Sequence, residues 1–299
     1  MRWRTMLTVA AVLAVAASAC GGDDDGAAAT TSGDAATSTT AATATNADTC
    51  GIDNLELVTP GTLTVATGEP AFPPWVLDDD PAGGEGFEAA VVYAVANAMG
   101  FSDDQVTWIR TDFNEAIAPG PKDFDFNIQQ YSISDERDEV VDFSDGYYTV
   151  KQALVAFADS PVAAATTVGD LAEFRLGAQI GTTSLDYIED VIQPTTPASV
   201  YDTNADAKSA IDAQQVDALV FDLPTAFFIT AVEMPDTAIV GQFETPGEAA
   251  EELGMLFADG NPLVECVNVA LAAATDDGTL AALEEQYLAN GGDIPTITP

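Results

Sequence analysis

The chain has 299 residues, 8 of them basic and 49 acidic, with no histidine and a formal net charge of −41. Such a charge repels nucleic acid and anionic lipid, and the lack of histidine excludes Ser-His-Asp and Cys-His catalysis and histidine-based metal sites. The length is enough for a leader plus two lobes, and the 47% of hydrophobic residues indicates a folded globule rather than a disordered chain.

Arg2 and Arg4 precede an apolar run from Met6 to Ala17, followed by Ser18-Ala19-Cys20. A basic start, a short apolar stretch and small residues before a cut predict a signal peptide over 1–19. The run is too short for a permanent membrane span. Ser18-Ala19-Cys20 resembles a bacterial lipobox, with Ala17 where leucine is usual, so Cys20 is the expected lipid attachment. Ala17-Ser18-Ala19 would also suit ordinary signal peptidase. Residues 20–54 are expected to form a flexible, lipid-anchored linker, because the Ala, Thr, Ser, Gly and Asp that dominate from Gly26 to Asp48 cannot bury a core. With Cys20 acylated, Cys50 and Cys266 remain. In an oxidising compartment the expected outcome is a disulfide between them, the alternative being two buried free thiols.

Folded structure is predicted from the turn at Pro60-Gly61 onwards, starting with a strand over Leu63–Ala66. Apolar residues at helical spacing (Phe87, Val91, Val95, Ala98) predict a helix over 86–99, closed by Gly100. A strand over Val106–Ile109, a short helix over Phe113–Ala118 and a strand over Phe124–Ile128 follow. Ser134 caps a helical turn through Asp135, Glu136 and Arg137. The apolar segment Gln152–Phe157 is expected to cross into a second lobe. That lobe alternates a strand (Phe174–Gln179), helices (Ser184–Ile192, Ala205–Gln214), a strand (Ala218–Phe221) and a helix (Pro224–Val232). The chain returns near Phe243, with a strand over Leu253–Phe257 and helices over Pro262–Ala274 and Thr279–Asn290. There is no internal repeat, and the alternation predicts α/β layers with mainly parallel sheets.

Several blocks, in this order, resemble the polar amino-acid-binding proteins of ABC importers, the family 3 extracellular solute-binding proteins. They are Gly86-Phe87-Glu88; Phe124-Asp125 ahead of Ser132-Ile133-Ser134-Asp135-Glu136-Arg137; Val141-Asp142-Phe143-Ser144 with Gly146-Tyr147-Tyr148; Gly181-Thr182-Thr183-Ser184; Val216-Asp217-Ala218 leading to Asp222; and Asp277-Gly278-Thr279-Leu280. The resemblance runs from about Thr62 to Asn290. It implies two α/β lobes of the type II periplasmic-binding-protein kind, joined by two crossing strands, with the ligand between them. The corresponding boundaries are 55–150 and 244–299 for the first lobe and 151–243 for the second. It further implies an extracytoplasmic, membrane-anchored monomer that hands its ligand to permease subunits, with no catalysis, cofactor or metal.

An amino acid presents a carboxylate, an ammonium and a side chain. A planar two-pronged donor suits the carboxylate, and Arg137 matches the family's carboxylate-binding arginine. Its alternative role is a surface pair with Glu136 or Asp138. Backbone N–H groups at Gly181-Thr182-Thr183-Ser184, with the Thr183 hydroxyl, are further expected donors. Asp222, after the strand Ala218–Phe221, matches the family's ammonium-binding carboxylate, at the kind of strand end where α/β sheets place ligands. Phe72 matches an aromatic wall, while Trp75 is expected in the core. Gln129, Gln130 and Ser132 occupy the family's polar stretch. Gln129 and Gln130 depart from the small hydroxyl residues usual there and so bear on side-chain specificity. Two amides offer donors and acceptors together. The alternatives are a dehydratase-like enzyme using Glu69 or Asp222 as acid or base, a ligand-sensing lobe serving a receptor, and a zwitterion other than an amino acid.

Overall fold

The computed structural model describes residues 50–245, 250–288 and 293–299. The expected signal peptide, the lipid site at Cys20 and the linker as far as residue 49 lie outside the described residues.

Two sheets form two lobes. The first sheet has the strand order β2-β1-β3-β12-β4, with β1 Leu63–Gly68, β2 Val106–Thr111, β3 Phe126–Asn127, β4 Val141–Phe143 and β12 Leu256–Ala258. The second has the order β13-β10-β6-β9-β7-β8, with β6 Gln152–Phe157, β7 Leu176–Gln179, β8 Ser199–Tyr201, β9 Ala218–Asp222, β10 Thr237–Phe243 and β13 Thr296–Ile297. The remaining strands, β5 Tyr148–Val150 and β11 Glu251–Leu253, pair antiparallel where the chain leaves and re-enters the first lobe. They are the two crossing strands.

The sheets are mixed rather than mainly parallel. Strands reached through helical crossovers run parallel, as β2-β1-β3 and β9-β7-β8 do. Strand β6 pairs antiparallel with β9 and β10, and β12 antiparallel with β3 and β4, while β10 also lies parallel to β13.

The helices in chain order are α1 Phe87–Ala98, α2 Phe113–Ile117, α3 Asp135–Asp138, α4 Thr183–Asp186, α5 Asn204–Asp212, α6 Leu223–Phe228, α7 Leu263–Asp276 and α8 Thr279–Tyr287. Wider π turns prolong α4 through Tyr187–Ile192 and α6 through Ile229–Glu233. Helix α1 buries Phe87, Val91, Val92 and Val95 against Leu63, Val65 and the inner faces of α7 and α8. Gly86, at φ +103, lets α1 start against the backbone of Trp75, where a Cβ would lie 2.5 Å from a carbonyl oxygen. In the second lobe the two faces of the sheet bury separate clusters, around Leu154, Ile188 and Val220 and around Val155, Leu219 and Phe221.

Cys50 and Cys266 form the expected disulfide, with their Cα atoms 5.4 Å apart. Two boundaries move. Residues 50–54, expected as the last of the linker, are held by this bridge and by the packing of Ile52 on the first core. Thr296–Ile297, expected in the first lobe, extends the second sheet beside β10, because Ile297 is buried in the same cluster as Phe243.

Candidate functional site

Four strand ends converge where the lobes face each other. The segment after β1 brings Phe72, and that after β3 brings Gln129, Gln130 and Ser132; β7 leads to Gln179, Thr182 and Thr183, and β9 ends at Asp222. Carboxyl ends of strands are where open α/β sheets place ligands. A small cavity of about 60 Å³ lies there between the closely apposed lobes, and Phe72, Gln129, Gln130, Ser132, Arg137, Thr182 and Thr183 all line it. Asp222 sits outside that lining. Its Oδ1 accepts from Gln152 Nε2 at 2.9 Å, and Gln152 also reaches Thr183 Oγ1 at 3.2 Å.

Arg137 is held at the bottom of the cleft. Ser134 caps α3, its hydroxyl accepting from Arg137 N, which turns the arginine side chain inward. The side chain is 9% exposed and packs over the Phe113 ring, 5.8 Å from its centroid. Nη1 donates to Ser132 O at 2.6 Å and Nη2 to Gly181 O at 2.9 Å, so one guanidinium binds carbonyls of both lobes. Among the described residues Arg137 makes no ion pair, with Glu136, Asp138 or any other carboxylate. Burial pulls its pKa down, and the more distant charges of Asp186 and Glu251 only partly oppose this.

The lobes also touch elsewhere. Trp75, fully buried as expected, donates from Nε1 to Thr225 Oγ1 at 2.8 Å on the opposite lobe. Lys208 Nζ lies 5.3 Å from the Phe72 ring centroid. Gly181 stands at φ +73, which favours glycine, and a Cβ there would fall 2.1 Å from Asn114 Oδ1 and displace the Asn114 side chain.

The sequence reading missed Glu251. This residue of crossing strand β11 accepts from Ser132 Oγ at 2.7 Å, Thr183 Oγ1 at 2.6 Å and Gln152 Nε2 at 3.2 Å. The Thr183 hydroxyl, expected to donate to the ligand, therefore gives its hydrogen to Glu251. Ser132 does the same, which leaves the oxygens of both hydroxyls able to act as acceptors at the cavity wall. Thr182 takes the capping role, its Oγ1 accepting from Leu185 N and donating to Gln179 O. Phe113, Gln179 and Asn204 also line the cavity and had no place in the expected set.

The family of bacterial extracellular solute-binding proteins, family 3, matches residues 63–290. The chain belongs to this family. The L-cystine-binding protein TcyJ of Escherichia coli is 28% identical over 238 residues, 78% of this chain and 84% of that protein. An ancestral arginine-binding protein bound to glutamine is 29% identical in sequence, with a TM-score of 0.65 over 77% of this chain and 98% of its own. A similar likeness (27% identity, TM-score 0.64, covering 76% and 95%) links it to an ancestral amino acid-binding protein that is a precursor of cyclohexadienyl dehydratase. The two-lobed architecture of this solute-binding protein is thus the one its sequence implied.

Two carboxyls of the solute-binding protein near the cleft hold protons unusually tightly. Burial pushes Asp222 up from 3.8 to about 7, with the Glu251 charge adding to the rise and the Gln152 hydrogen bond opposing it. Burial likewise raises Glu88 to about 7, against hydrogen bonds from Tyr147 and Gln130. In the folded ligand-free protein Asp222 keeps a proton that the unfolded chain has released above its ordinary pKa. Its contribution to stability is therefore complete at about pH 4 and disappears as pH rises through about 7. The melting temperature should fall between pH 5 and pH 8, and fall less in Asp222→Asn. Calorimetry of both proteins across that range checks this, and parallel curves would refute it.

Proposed function

We propose that this solute-binding protein captures a free α-amino acid between its lobes and presents it to an ABC permease. One observation carries the reading: Arg137 is a buried guanidinium with two carbonyl contacts and no carboxylate partner among the described residues. A buried cation without a counter-charge is costly, and a ligand carboxylate supplies that charge with matching bidentate geometry. The ligand ammonium then meets the lone pairs of Ser132 and Thr183, with Asp222 and Glu251 behind them as its charge partners. Phe72 covers the side chain, and Gln129, Gln130 and Thr182 complete the walls.

The relatives named above are described as binding amino acids, which supports ligand capture without turnover in this chain. The leader motif supports export, with the monomer tethered to the membrane through Cys20 and residues 21–49 as the tether. A thermal-shift screen of the twenty amino acids tests the reading. A ligand at one hundred times its Kd stabilises the folded state by about 2.7 kcal/mol, so at least one amino acid should raise the melting temperature by several degrees. No shift with any of them at millimolar concentration would overturn it.

A further inference from the structure

We propose that the cavity selects an amino acid whose side chain ends in a carboxamide, recognised by Gln129, Gln130 and Gln179. This rests on the amino-acid reading above and adds the side-chain class.

Arg137 is the only charged side chain lining the cavity among the described residues. Once it holds the α-carboxylate, discrimination falls to neutral polar groups. Three glutamine amides line the cavity, and each is oriented by a partner at one end. Gln130 Nε2 donates to Glu88, leaving Gln130 Oε1 as an acceptor. Gln130 N also donates to Glu88, at 2.8 Å, which fixes a backbone at φ +52. Gln129 Oε1 accepts from Tyr131 Oη at 3.1 Å, leaving Nε2 as a donor. Gln179 Oε1 accepts from the backbone N–H of Asn204 at 2.9 Å, leaving its Nε2 as a donor. Glu88 and Tyr131 are fully buried, so the orientations of Gln130 and Gln129 are set from the core of the first lobe.

The cavity thus offers unclaimed amide donors from both lobes and an amide acceptor from the first. A carboxamide matches both kinds at once: its oxygen accepts from Gln129 and Gln179, and its NH₂ donates to Gln130. A guanidinium or ammonium has donors only, meets two N–H groups and finds no carboxylate in the lining. A carboxylate accepts from both donors but sets its oxygens against Gln130 Oε1. An alkyl group leaves all three amides without partners, each a loss on binding.

Isothermal titration of the full purified chain with L-glutamine, L-asparagine, L-glutamate, L-arginine and L-leucine decides the matter. L-Glutamine or L-asparagine should bind at least about tenfold more tightly than the other three. Gln179→Leu should lower that affinity about tenfold while leaving L-leucine binding no weaker. Tighter or equal binding of L-arginine, L-glutamate or L-leucine by the unaltered chain would overturn the carboxamide assignment and leave the amino-acid reading standing. Failure of both L-glutamine and L-asparagine to bind would likewise overturn the carboxamide assignment, and no melting shift with any of the twenty amino acids in the screen above would overturn the reading beneath it as well.

Discussion

Arg137→Ala is expected to weaken amino-acid binding by about 2–3 kcal/mol or more, a loss of roughly 30- to 150-fold in affinity. The reason is the charge balance of the cleft. Among the described residues the guanidinium is the one charged lining group able to neutralise a ligand carboxylate, and the carboxylate behind the hydroxyls, Glu251, carries the ligand's own sign. Without Arg137 the carboxylate would enter a site of its own sign. The substitution also removes the donors held by Ser132 O and Gly181 O, so some loss of fold stability accompanies the loss of binding. Arg137→Lys separates the two effects: it keeps a positive charge but groups its three donors on one nitrogen in place of a planar fork that spans both lobes and a ligand. It should retain most of the stability and recover only part of the affinity. Calorimetric titration alongside melting curves checks both variants, and an unchanged dissociation constant in Arg137→Ala would remove the carboxylate from this position.

Much of this site could be read from sequence because its residues lie at the ends of strands that local patterns reveal. Leu63–Gly68, Leu176–Gln179 and Ala218–Asp222 are short buried runs, and the residues that follow them are forced to one edge of their sheets. Arg137 stood out in a chain with few cations, and the capping serine three residues earlier gave its orientation. Glu251 escaped for the opposite reason. It is one of 49 acidic residues, and its position opposite Thr183 arises from strand pairing between β11 and β5, a contact between segments about a hundred residues apart. Gln152 did carry a signal that went unused. It is the single polar residue in the run Gln-Ala-Leu-Val-Ala-Phe, and it is 4% exposed, so it needed buried partners. The strands β4, β5, β8 and β13 are two or three residues long, too short for any alternation to show. The region expected as one strand over Leu253–Phe257 is two, β11 and β12, because the chain passes from the crossing pair to the first sheet at Gly254 and Met255.

Removing the Cys50–Cys266 bridge, as the double variant Cys50→Ala/Cys266→Ala, is expected to destabilise the protein by up to about 5 kcal/mol. The bridge spans a sequence separation of 216 residues, so it closes a loop containing nearly all of both lobes. Such a cross-link reduces the conformations open to the unfolded chain far more than those of the folded one. Alanine is the appropriate replacement at Cys266, which is buried on α7 against the first core, where a serine hydroxyl would need a partner. The bridge does not line the cavity, so ligand affinity at a temperature where the variant is folded should stay near that of the parent. Denaturant unfolding of the parent, the double variant and the reduced parent checks this. The variant and the reduced parent should share one lowered midpoint, with a steeper denaturant dependence because the freed chain exposes more surface on unfolding. A midpoint equal to that of the oxidised parent would mean that the packing of Ile52, Leu55 and Leu57 on the first core already restrains the segment after Cys50. The bridge would then hold the entry of the chain in place without contributing to the stability of the lobes.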